Sequence, residues 1–252
     1  TSIVKSSKNI NEQIKEIIET LTKNSKKSSY IRDGFKPIIP QNTKVIDVLL
    51  DNEILTINFS KELLNIDKDN EEKMIEAIIY SLTEIKEIKK IKILVENNPL
   101  TKLPNSQKKL PDYLDKNYGI NKIYNLDSIK ESTKTTIYYL SKFQDYHYFV
   151  PVTKINNEKT EKVEIIIKEL KSTPIYQTNL ISYLAASANI TNYELLENGI
   201  KLSFNNYLIA NIKEEEALEE VKYSIALSLR DTYGINEVIF SIPNNENTKI
   251  NV

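Results

Sequence analysis

Fifteen residues of this chain occur twice in recognisable form, and that repeat limits the folds open to it. VIDVLLDNEILTINF at 45–59 is echoed by ITNYELLENGIKLSF at 190–204, with the same length and the same apolar rhythm. Leu55, Ile57 and Phe59 alternate with Thr56, Asn58 and Ser60, as Ile200, Leu202 and Phe204 do with Lys201, Ser203 and Asn205. A period of two sends one row to a buried face and the other to water, the signature of a half-buried strand. Before each strand stands a turn, Asp51-Asn52-Glu53 in one copy and Glu197-Asn198-Gly199 in the other. Asn and Gly tolerate the positive φ of a tight hairpin, so the second copy carries the stronger turn signal.

The echo runs on. Asn70 is placed to cap a helix whose apolar residues Met74, Ile75, Ile78, Ile79, Leu82 and Ile85 advance in steps of three and four. Glu71 and Glu72 lie in its first turn and Lys89 and Lys90 just past its end, signs that suit the helix dipole. In the second copy Ala217, Leu218, Val221, Ile225 and Leu229 have similar spacing, with acidic residues at 214–216 in front and Gly234 as the stop. A short strand closes each copy, at 91–98 and 238–245. Phe59 and Phe204 stand 145 residues apart and Tyr80 and Tyr223 stand 143 apart. Such a small drift points to duplication.

A helix precedes each hairpin, at 11–23 with Ile10, Ile14, Ile17, Ile18 and Leu21 on one stripe, and at 160–171 with Val163, Ile166, Ile167 and Leu170. Between the first helix and its hairpin, 25–43 is irregular, with Pro37, Pro40 and Asp33-Gly34. The matching stretch of the second copy, 176–189 with YLAASAN inside it, reads as helical. A connector at 99–134 is broken by Pro99, Pro104 and Pro111, with single helical turns expected at 112–118 and 128–134. An additional hairpin follows, 135–140 paired with 146–155. Pro151 removes a ladder donor and marks its strand as an edge or a bulge.

The expectation is an α+β protein of two tandem repeats, 1–130 and 131–252. Each is an α-β-β-α-β core with two helices on one face of a small mixed sheet, and the second adds the hairpin. Applying the helix spacing to the front of the chain places residues 2–5 on the second strand of that hairpin. They are therefore expected to be extended, with a pairing strand upstream of this piece. Thr1 in place of an initiator Met suggests a processed or trimmed form.

Composition narrows the functions. The balance of 34 Lys and Arg against 35 Asp and Glu leaves a net charge of −1, with no general attraction for nucleic acid or an anionic membrane. With no cysteine, disulfides and thiolate metal sites are excluded. His147 is the only histidine, and it has no second imidazole to share a metal and no nucleophile motif beside it. A structural strand histidine is the better reading. No catalytic residue, cofactor or metal ligand is selected, and a non-enzymatic role is expected. Two candidate partner surfaces remain. The first is an aromatic cluster of Tyr138, Tyr139, Phe143, Tyr146, Tyr148 and Phe149, although alternation should bury about half of it. The second is a basic loop with Lys23, Lys26, Lys27, Arg32 and Lys36, open to an acidic partner or an anionic wall polymer, for which a solvated loop is the better reading.

The stretches 45–60, 71–82 and 91–98, with 190–204, 214–225 and 238–245 as a second set, resemble the GerMN domain family of sporulation and spore-germination proteins. The PIIPQNTKV run at 37–45 resembles that family's proline lead-in. Asn97-Asn98 stands where the family has an Asp-Gly pair, and the second copy lacks the proline lead-in, which leaves those loop conformations open. The resemblance implies an exported lipoprotein of endospore-forming bacteria, held by an N-terminal lipid on a cysteine upstream of this piece. It further implies a scaffold between mother-cell and forespore membranes, with other sporulation channel and envelope proteins as partners. It is also similar to the ring-building motif of secretion rings, which makes oligomerisation in a complex an expectation. Two other classes fit the element order less well. A KH-like RNA binder would need a GXXG loop, which neither copy has. A peptidoglycan or small-ligand module would need a concave polar and aromatic site.

Overall fold

The computed structural model of the chain describes residues 9–127, 131–144, 146–172, 179–205, 208, 218–243 and 246–252. Two units emerge, Thr1–Ile120 and Asn121–Val252. The expected boundary after residue 130 lies ten residues further on. The difference has a cause in pairing, because Ile123–Asn125 run parallel to Lys154–Asn156 of the second unit.

In the first unit, α1 (Ile10–Leu21) starts where the Asn9 side chain accepts the Asn11 N–H at 2.9 Å. Its stripe Ile14, Ile17, Ile18 and Leu21 is buried. β1 (Val45–Asp51) and β2 (Ile54–Phe59) form an antiparallel hairpin. Asn52 and Glu53 both take positive φ, 48° and 63°, as a two-residue primed turn requires. α2 (Lys68–Leu82) begins at Asp67, three residues before the expected cap Asn70, and ends one turn early. Ile85 is nonetheless buried, in the turns that follow. β3 (Lys90–Val95) returns parallel to β2, and β4 (Asn98–Pro99) folds back through left-handed Glu96 and Asn97 to give the order β1-β2-β3-β4. Asn97 is fixed there by Asn58, whose Nδ2 donates to Asn97 Oδ1 at 2.7 Å while its Oδ1 accepts the Asn97 N–H at 3.0 Å. The expected turn at 112–118 is a single 3-10 turn, Lys116–Tyr118.

The second unit opens with β5 (Ile123–Asn125) and the long hairpin β6 (Thr133–Phe143) and β7 (Tyr146–Asn156). It continues with α3 (Lys162–Lys171), β8 (Leu180–Ile181), β9 (Ile190–Leu195), β10 (Gly199–Phe204), α4 (Glu219–Tyr233), β11 (Glu237–Ser241) and β12 (Thr248–Asn251). The repeat is realised strand for strand, with β9 antiparallel to β10, β10 parallel to β11 and β12 in the place of β4. The positions matched by the repeat, Ile57 and Leu202, Ile78 and Val221, and Ile17 and Ile166, are all buried. The long hairpin does not extend this sheet. It builds a second one, β5-β7-β6-β8, which packs on α3 and α4. Among the described residues no strand pairs with the outer side of β7 at Pro151, and its carbonyl there accepts the Asn121 side-chain amide at 2.9 Å.

Two expectations of the second copy are corrected. Gly199 does not serve the turn by a positive φ. A Cβ on it would lie 2.8 Å from the Glu237 carbonyl oxygen, so it is the close approach of β11 that demands glycine. Nor is YLAASAN a helix. Its preceding residues Leu180 and Ile181 pair with β6. The carbonyl of Ser187 is taken by the amides of Asn189 and Asn205, at 3.1 and 2.9 Å. Tertiary partners outweigh the helical preference of the three alanines. The expected extension at 2–5, the acidic run at 214–216 and residues 128–130 of the expected turn at 128–134 lie outside the described residues; at the other end of that turn Thr133 and Lys134 are not helical but already pair in β6.

Candidate functional site

The structure separates the aromatic cluster into two groups. Tyr138 and Tyr139 are 7% and 1% exposed and unavailable to a partner. The reason lies in α4, which runs along the edge of β6 that β8 leaves open. The Tyr138 N–H donates to Ser228 Oγ at 2.8 Å, Ser228 donates on to the Ser224 carbonyl at 2.6 Å, and the Tyr138 hydroxyl reaches Asp231. With both faces of β6 covered, alternation no longer brings every second side chain to water.

At the far end of the same hairpin the rings are exposed. Phe143 and Tyr146 face each other across the ladder, at 41% and 58% exposure. The Tyr146 and Tyr148 rings lie 6.4 Å apart. His147 stands edge-on to Tyr183 at 6.3 Å, its Nδ1 3.8 Å from Glu220 Oε1. Phe149 meets Tyr223 of α4 at 6.1 Å. Rings from β7, from the segment after β8 and from α4 thus converge on one end of the second unit. The YHYF run signals part of this in the sequence, but Tyr183 and Tyr223 carry no local signal. Tyr223 is matched in the repeat by Tyr80, which is buried because its hydroxyl donates to the Lys116 carbonyl at 3.3 Å and Lys116 Nζ sits 5.7 Å over its ring. The connector covers one tyrosine, and the hairpin half-covers the other.

The basic loop is only partly free. Lys27 pairs with Glu16 at 2.8 Å and Glu19 at 3.7 Å on α1, and the Glu16 hydrogen bond holds its ammonium above the ordinary lysine range. Lys26 and Arg32 are exposed.

Among the described residues no three His, Asp or Glu side chains converge as a metal-ligand set, and no helix is long and apolar enough to cross a membrane. The most buried carboxylate of the first unit has a structural partner. Glu71, expected as helix N-terminal charge, accepts the N–H groups of Asn105 and Ser106 at 2.8 and 2.9 Å and clasps the connector to α2. Burial pushes its carboxyl up, but the hydrogen bonds from Ser106 and Asn105 outweigh it and hold the group below the ordinary carboxylate range. A folded-state value below the unfolded one stabilises above about pH 4.3, and that contribution is lost as pH falls through the folded value. Glu71→Gln is therefore expected to cost about 1.5–3 kcal/mol at pH 7 and to flatten the acid limb of stability, as urea titrations at several pH values would show.

Comparison with known proteins places these features. Residues 1–101 match the family model Germane, sporulation and spore germination. The chain is 26% identical over 230 residues to the spore germination protein GerM of Bacillus subtilis (strain 168), a match spanning 89% of this chain and 63% of that protein. The solved tandem GerMN domains of the sporulation protein GerM from Bacillus subtilis superpose with a TM-score of 0.86 at 23% identity, covering 96% of this chain and 85% of that one.

Proposed function

From a chain whose residues 1–101 match the Germane family model and whose fold is that of tandem GerMN domains, we propose a non-enzymatic, extracytoplasmic scaffold. Its place would be between mother cell and forespore, carried there as a membrane-anchored lipoprotein and joined to other proteins of a sporulation channel or envelope complex. The observation that carries this reading is the exposed aromatic end of the β6–β7 hairpin. Phe143, Tyr146 and Tyr148 on one face of the hairpin end, with Tyr183 and Tyr223 against His147 and Phe149 on the other, offer rigid rings of the kind that anchor protein interfaces. The spore-related assignment of the relatives supplies the setting.

The reading is tested in the organism that encodes the chain. Phe143→Ser with Tyr146→Ser is expected to leave unfolding within about 0.5 kcal/mol of the parent, since both rings are solvent-facing. Spore yield is expected to fall to that of a deletion strain. Normal sporulation by the double variant would move the interface off the hairpin end. A fluorescent fusion spread evenly through the cytoplasm would overturn the scaffold reading itself.

A further inference from the structure

The second unit carries an open sheet edge beside a helix. β9 ends the order β12-β11-β10-β9. Antiparallel pairing alternates hydrogen-bonded and non-bonded pairs. The Leu196 N–H donates to the Gly199 carbonyl at 2.9 Å, and counting from that pair puts Glu194 and Asn192 in bonded pairs with Lys201 and Ser203. Tyr193 and Leu195 therefore turn their N–H and C=O groups away from β10, towards the side where, among the described residues, the sheet has no further strand.

Between α3 and β9 lies a groove of about 510 Å³. Glu164, Ile167, Lys168 and Lys171 line it from the helix, at one-turn spacing, and Asn192 and Tyr193 are among its lining from the strand. Ile167 is buried and gives an apolar floor, while Lys168 and Lys171 give the helix wall an excess of positive charge over Glu164. Lys168 is shared with Glu158 at 2.9 Å, and Lys171 Nζ donates to the neutral Asn189 Oδ1 at 2.6 Å. The first copy differs at this place. At the corresponding end of α1 the N–H groups of Ile38 and Ile39 donate to the Leu21 carbonyl, and Lys27 reaches back to Glu16. The repeat puts Glu19 and Thr22 where the second copy has Lys168 and Lys171.

We propose that this groove takes an extended acidic segment of a partner protein as an added strand on β9, with Lys168 and Lys171 receiving its carboxylates. Main-chain pairing with an open edge supplies affinity in such strand addition, and alternate side chains supply selectivity. Six residues of strand, at about 3.3 Å each, match a segment of about five or six residues. The proposal goes beyond the aromatic end of the hairpin, and that surface would stand if the groove proved empty.

The test uses the full chain, isotopically labelled, and an end-blocked hexapeptide alternating glutamate and valine. Its amides are expected to shift the NMR signals of Tyr193 and Leu195. N-methylation of the alternate peptide amides that would face β9 leaves the protein untouched and is expected to weaken binding about tenfold. Lys168→Glu with Lys171→Glu is expected to weaken the acidic peptide by a similar factor and to favour a lysine–valine counterpart. Three results would each overturn the proposal. The first is no shift at about 1 mM peptide, and the second is equal binding of the N-methylated form. The third is a shift of the same amides by soluble peptidoglycan fragments with none from the peptide.

Discussion

Phe204→Ala is expected to lower the stability of the second unit by about 3–5 kcal/mol, and Phe59→Ala to do the same to the first. The two residues are repeat equivalents at the ends of β10 and β2, and both are buried. Phe204 stacks on Phe240 of the neighbouring β11 with ring centroids 6.3 Å apart, so its removal deprives a second large side chain of its contact. The loss combines the transfer free energy of the ring with that of a cavity which the paired β-strands on either side prevent from collapsing. The buried cores are built from separate parts of the chain, Ile14 to Leu114 in one and Ile137 to Ile250 in the other. Each substitution is therefore expected to act on its own unit. Hydrogen exchange read residue by residue is the measurement. Phe204→Ala should speed exchange at β10 and β11 while leaving β2 and β3 as they were. An equal loss in all four strands would mean that the two units unfold as one cooperative block.

What was legible in the sequence is what period alone decides. Ile57 and Leu202 were placed by alternation, Ile17 and Ile166 by helical spacing, and Gly234 by its stop role, which it fills with φ 69° at the end of α4. What was not legible depends on partners far along the chain. Tyr138 is buried by Ser228, ninety residues away, and no local pattern announces that a helix will run along an open strand edge. Gly199 was legible as special but for the wrong reason, since its constraint comes from the carbonyl of Glu237. β12 carries no signal of its own, because a four-residue strand needs β11 beside it to define it. The candidate surfaces divide in the same way. Tyr146 and Tyr148 stand out in the sequence, whereas Tyr183 and Tyr223 reach His147 and Phe149 of the same hairpin only through the fold.

Removing one partner from the polar clasp between the hairpin and α3 is expected to cost more than removing both. Lys154 on β7 and Glu169 on α3 form an ion pair with side chains 17% and 14% exposed. The Tyr139 hydroxyl lies 3.4 Å from the same Glu169 oxygen, and Lys154 Nζ sits 6.0 Å from the Tyr139 ring centroid. Burial, and then the charge of Glu169, push the Tyr139 phenol well above its ordinary range, so it remains a neutral donor throughout the physiological range. Glu169→Ala would leave an ammonium largely out of water with no carboxylate, a situation that costs about 3–5 kcal/mol for a buried pair. Lys154→Met would strand the carboxylate instead, beside the neutral Tyr139 hydroxyl. Replacing both, Lys154→Met with Glu169→Leu, removes the two desolvation penalties together and fills the same space with apolar volume. That double variant is expected to recover most of the loss, because desolvation of a buried pair consumes much of its Coulombic gain. Urea unfolding of the three variants and the parent forms the cycle, and the coupling energy decides the matter. If the double variant were no more stable than the worse single one, the clasp would contribute through geometry that apolar packing cannot replace. Recovery would show instead that Tyr139, already buried against α3, is enough to hold the hairpin, and with it the aromatic end, in place.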